Sequence, residues 1–131
     1  MTVLAVDTTA VRVAQDIRAN GGSTRSVVPG VPSPTGGYAV SLKGFQEIFP
    51  HWSDETIAEY IERHRFQLAQ PGRFIGAWID DGQLYLDVSV VVADLQIALD
   101  MGRRNDQLAI FDVASEQEIR LDSVEPFRTA A

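Results

Sequence analysis

The chain has 131 residues, 45% of them hydrophobic and 22% charged, with two histidines and no cysteine. That length suits one hydrophobic core, the balance is that of an ordinary folded domain, and the missing thiols exclude disulfides, thiol catalysis, iron–sulfur ligation and thiolate zinc sites. A net charge of −7 argues against general affinity for nucleic-acid backbones, which comes mainly from Lys and Arg displacing counterions.

No apolar run reaches the roughly 20 residues that span a bilayer. Met1 to Asp7 has neither the basic start nor the long apolar core of a secretion signal. A cytoplasmic protein without a membrane partner is therefore expected. The charge is unevenly placed: residues 1–37 carry three Arg against two Asp, whereas residues 38–131 carry eight basic against sixteen acidic groups. The acidic field belongs to the C-terminal part.

In chain order, TVLAVD alternates as a short strand does, and Thr8 or Thr9 then caps a helix through Ala10, Val13, Ala14 and Ile17 that ends at Asn20-Gly21-Gly22. Ser23 to Val28 reads as extended at most, and PGVPSPTGG at 29–37, with three prolines and three glycines, reads as a linker or loop. Residues 1–37 are thus an N-terminal helix plus a Pro/Gly-rich linker, either separate or an arm of the domain that follows. That domain is set at 38–121, with 122–131 as a flexible tail.

Tyr38, Val40 and Leu42 alternate with smaller residues and predict a strand over 38–43. Ser53 is a good N-cap, with Trp52 in the staple position against Ile57, for a helix carrying Ile57, Tyr60, Ile61, His64 and Leu68 on one face until Pro71-Gly72. Two β-rich runs, RFIGAWI and QLYLDVS, flank Asp81-Gly82, a pair suited to the positive φ angles of a type I′ turn. With a two-residue loop, Ile79, Ala77 and Ile75 face Leu84, Leu86 and Val88. The opposite face then pairs Trp78 with Tyr85, Gly76 with Asp87 and Phe74 with Ser89.

Ser89 is read as the cap of a second helix striped by Val92, Leu95, Ala98, Leu99 and Gly102, with Asp94 near its start and Arg103 and Arg104 near its end. Gln107 to Val113 and Glu118 to Leu121 complete a last hairpin. The predicted class is α+β: a mainly antiparallel sheet of about five strands with two to three helices packed on it.

Several motifs resemble chemistry and fail on their surroundings. VLAVDTT resembles the opening strand of sugar-kinase-like ATP-binding proteins, but a helical pattern follows where that family has a glycine-containing hairpin. Glu116-Gln117-Glu118 resembles the E-x-E of some ADP-ribosyltransferases without the companion Ser-Thr-Ser strand. His51 and His64 lack metal-ligand spacing, and Asp80 and Asp81 suit a turn. Arg103 and Arg104 suit a helix end, and the glycines form no nucleotide loop. No catalytic set, metal site or cofactor is predicted.

The run from Gly76 to Ile119, GAWIDDGQLYLDVSVVVADLQIALDMGRRNDQLAIFDVASEQEI, resembles small uncharacterised proteins of actinobacteria and their phages. These share a G-x-W-x-D-x-G-x-x-Y-L-D-V-S stretch before a helix and Q-x-A-I-x-D. The likeness covers about a third of the chain. It implies a recurring domain with a phage or mobile-element setting, and brings no activity with it.

The expectation is a non-enzymatic accessory or regulatory protein that binds another protein through Phe74, Trp78, Tyr85 and Asp87. Two rivals stand beside it. One is a small hydrolase or transferase built around Asp87 with a His or Arg, and the other is a structural homo-oligomer pairing through the aromatic face or the last strand.

Overall fold

In the computed structural model, which describes residues 8–121, Ala10, Val13, Ala14 and Ile17 recur at helical spacing on the buried face of α1 (Thr8–Asn20). The chain continues through β1 (Gly22–Arg25), β2 (Tyr38–Ser41), β3 (Glu47–Phe49), α2 (Asp54–Arg63) and α3 (Arg65–Leu68). It ends in β4 (Arg73–Asp80), β5 (Gln83–Val92), α4 (Leu95–Arg104), β6 (Ala109–Asp112) and β7 (Gln117–Arg120). The strand expected over TVLAVD and the tail 122–131 lie outside the described residues.

The strands form one antiparallel sheet in the order β1-β4-β5-β2-β6-β7, with β3 pairing with β5 beyond the end of β2. The α+β class is as predicted. The sheet has seven strands rather than about five, and the described residues contain four helices rather than two to three. The two extra strands lack the apolar alternation by which strands are recognised. In β1, Ser23 and Arg25 spend their side chains on Asp16 of α1, through bonds of 2.6 and 2.7 Å to Oδ2 and one of 3.2 Å to Oδ1.

The β4–β5 hairpin has the predicted register, from Ile75↔Val88 through Ile79↔Leu84 to Asp80↔Gln83. Its turn residues sit at φ 53° for Asp81 and 77° for Gly82, the left-handed pair that a type I′ turn requires. Ile75, Ala77, Leu84, Leu86 and Val88 are buried against Ala10, Val13, Ile57, Tyr60 and Leu68, which makes one core beneath α1, α2 and α3. A smaller core joins Val40, Val90 and Val92 to Ala98 and Leu99 of α4. Residues 88, 90 and 92 share one side of β5, so both cores, and all four helices with them, lie on the same side of the sheet.

Two helix boundaries differ from the expectation. The helix foreseen through Leu68 breaks at His64, whose backbone leaves the helical region (φ −111°, ψ 21°). The His64 ring lies against Tyr60, tilted by 40° with centroids 4.3 Å apart, and its Nε2 lies 2.7 Å from Glu47 Oε2, so side-chain contacts to β3 accompany the break. Ser89 does not cap the second helix. The β-branched run 90–92 stays extended and pairs with β2, and Asp94 is the cap instead, its Oδ1 accepting from Ile97 N at 3.0 Å.

Among the described residues no helix is long and apolar enough to cross a membrane.

Candidate protein-contact face

Strand parity sends Phe74, Gly76 and Trp78 of β4, and Tyr85, Asp87 and Ser89 of β5, to the side of the sheet opposite the helices. Ile48 of β3, opposite Tyr85, and Ser41 of β2, opposite Ser89, join them. Phe74, Trp78 and Tyr85 belong to neither core and are half-buried, and Ile48 is 47% exposed. The four residues expected to form one surface therefore share one face.

Trp78 and Tyr85 stack with ring centroids 4.3 Å apart and planes 22° from parallel. Such a pair adds about 0.5–1.5 kcal/mol beyond the area it buries. It also holds the two rings against each other, as a rigid unit at low entropic cost.

Asp87 behaves differently from its neighbours, for it is only 2% exposed. Its side chain leans across the ladder onto Gly76: a methyl group there would lie 2.3 Å from Asp87 Oδ1 and 2.9 Å from Ser89 Oγ. Only a residue without a side chain leaves this space. Ser89 Oγ donates to Oδ1 at 2.6 Å, and Ser41 supplies a second side-chain hydrogen bond. Burial pushes the carboxyl above its ordinary range, and the two hydroxyls only partly offset this. Asp87 thus serves as a buried floor between Phe74 and Trp78 rather than as a surface charge.

The histidines stand elsewhere. His64 pairs with Glu47, which also accepts from Arg63. Burial opposes the Glu47 carboxylate, yet these partners hold it below the usual range. Tyr60, in ring contact with His64, donates to the Phe45 carbonyl at 2.7 Å. Burial, reinforced by the Asp87 and Glu47 carboxylates, drives its hydroxyl pKa upward. His51 is exposed, Glu116 sits in the turn between β6 and β7, and Arg104 pairs with Asp100 at 3.1 Å. The hydrogen bonds of Asp87 run to Ser89 and Ser41, and neither histidine is among its partners. Among the described residues no group of three or more His, Asp or Glu side chains is placed to hold a metal ion.

Sequence parity had already set Gly76 against Asp87. Ser41 and Ile48 were missed, because their membership depends on β2 and β3 flanking β5, a pairing that follows from the sheet order rather than from any local pattern. No protein-family model matches the chain, and no curated protein or solved structure is significantly similar to it.

Proposed function

We propose that the protein is a non-enzymatic accessory or regulatory protein that binds a protein partner through the face of its sheet opposite the described helices. The observation that carries this reading is the stacked, half-buried Trp78–Tyr85 pair, flanked by Phe74 and by exposed Ile48 on a side of the sheet that neither core occupies. Aromatic residues held rigid next to apolar neighbours are the usual anchors of protein interfaces. The acidic C-terminal part favours a partner of opposite charge, by steering the encounter. A cytoplasmic setting in an actinobacterium or one of its phages belongs to the same proposal.

The test compares the full-length wild type with a Trp78→Ala, Tyr85→Ala variant as bait in host extract, after circular dichroism has verified the fold. Interface aromatics of this kind cost about 2 kcal/mol or more each when truncated, roughly a thirtyfold loss of affinity. A partner retained by the wild type and lost by the folded variant supports the reading. Equal retention by both baits overturns it. Sedimentation of the two proteins over a concentration series separates a foreign partner from a second copy of the chain.

A further inference from the structure

A concave feature lies on the helix side of the sheet, away from the aromatic face. The start of α1, the end of α2 and the loop after β1 enclose a groove of about 750 Å3, within the range of about 300–1,000 Å3 typical of small-molecule clefts. Its lining has two characters. The proline-containing loop contributes apolar surface, including Val31, which is 46% exposed, and Ile61 lies against it from α2. The charged lining is three guanidiniums, Arg12, Arg25 and Arg65, against the single carboxylate of Glu62.

That balance runs against a chain whose net charge is −7. The three arginines are also differently held. Arg25 is fixed through Nε and Nη2 by Asp16, with Nη1 reaching Ser33 Oγ at 3.5 Å. Arg65 gives Nε and Nη2 to Glu62, at 3.3 and 3.2 Å. Arg12 is exposed, and no described side chain pairs with it. Two guanidiniums oriented by neighbouring acids, one guanidinium with no partner among the described residues and an apolar wall form the donor set for one anionic group carried on an apolar body.

The geometry points to this groove as a binding site for a small organic anion, its sulfonate, phosphate or carboxylate at Arg12 and Arg65 and its apolar body against the Val31 wall. Asp16 and Glu62, already paired with Arg25 and Arg65, leave one positive charge in balance and limit the site to one such group.

The experiment titrates the full chain with 1-anilinonaphthalene-8-sulfonate, an anion on an aromatic body, and follows the dye's fluorescence. Neutral N-phenyl-1-naphthylamine and inorganic sulfate serve as controls, and Arg12→Gln, Arg65→Gln and the Trp78→Ala, Tyr85→Ala protein are compared with the wild type. Arg12 has no described partner to lose, so Arg12→Gln should keep the wild-type unfolding midpoint. Expected is saturable one-to-one binding, at least about tenfold weaker for each control probe and for each arginine variant. Affinity should fall with added salt and be unchanged when the aromatic pair is removed. Absent saturation, equal binding of the neutral dye, or arginine variants that bind as the wild type does would each overturn the site. Dye binding lost only in the Trp78→Ala, Tyr85→Ala protein would also overturn it, while leaving the contact face intact.

Discussion

Replacing Gly76 with Ala tests the geometry beneath the contact face. The φ of Gly76 is not positive, so the backbone itself accepts alanine, and in open surroundings the change would stabilise by about 0.4–1 kcal/mol through the unfolded chain. The surroundings reverse the sign. The new methyl would stand 2.3 Å from Asp87 Oδ1, 3.0 Å from Asp87 Cγ and 2.9 Å from Ser89 Oγ, so the carboxyl must leave. Overpacking costs about 1–3 kcal/mol, and separating a buried carboxyl from its hydroxyl donor costs about 1–3 kcal/mol more. Less the gain through the unfolded chain, the net expectation is a loss of about 1–5 kcal/mol, which for a domain of this size lowers the midpoint of thermal unfolding by about 4–20 °C. Urea unfolding followed by tryptophan fluorescence reads this directly. In an Asp87→Ala background only Ser89 Oγ remains close, so Gly76→Ala should cost less than about 1 kcal/mol there, a coupling a double-mutant cycle resolves. A Gly76→Ala protein as stable as the wild type, or one whose loss is the same in both backgrounds, would refute the placement of Asp87 over Gly76.

Asp87→Asn tests the carboxyl's charge. Burial raises the folded-state pKa above the unfolded value of about 3.9. The native state therefore holds the proton longer, and the stability this group contributes is complete below that value and is lost as pH rises through the folded pKa. Asparagine still accepts from Ser89 and carries no charge, so the variant should gain on the wild type as the pH rises above about 4 in parallel urea titrations; curves that run parallel would contradict it. Asp16 has the opposite sign. Burial opposes its charge, but the bonds from Arg25 and Ser23 prevail and lower its pKa, so its contribution is present above about pH 3.9 and fades as pH falls. Asp16→Ala should cost about 1–2 kcal/mol at pH 7 and progressively less as the pH is lowered below about 3.9, as read by chemical unfolding. Asp94→Ala should cost about 1 kcal/mol by removing the α4 cap, whereas Asp94→Ser, which keeps a capping oxygen, should lose little in the same assay.

How far these features could be read in advance depends on whether the deciding interaction is local. The β4–β5 register was legible because Asp81-Gly82 fixes the turn and parity then places every side chain up to Arg73↔Val90. The buried stripes of α1 and α2 were legible through their helical period. β3 was not, since its three residues turn Glu47 toward His64 and Arg63 and leave Ile48 outward, so no apolar alternation marks it. The start of α4 was misplaced because Ser89 and Asp94 are both good caps. The choice rests on residues 90–92 finding a partner in β2 and on Ser89 giving its hydroxyl to Asp87. The first of these joins distant parts of the chain, and the second depends on the space that Gly76 leaves across the hairpin.

The same reasoning explains why a carboxyl belongs on a face proposed to bind protein. Parity alone places Asp87 between aromatic residues, where an outward carboxylate would keep water on the surface and oppose burial by a partner. Opposite a residue with a side chain it would have to project that way. Opposite Gly76 it lies down across the ladder, takes its hydrogen bonds from Ser89 and Ser41, and is almost wholly covered. The outer surface is then left to Phe74, to the Trp78–Tyr85 stack and to Ile48. Gly76 and Asp87 thus act as one unit that converts an acidic position into an apolar platform. It follows that Gly76→Ala, by expelling the carboxyl toward the aromatics, should weaken partner binding in molecules that remain folded, beyond what its cost in stability accounts for.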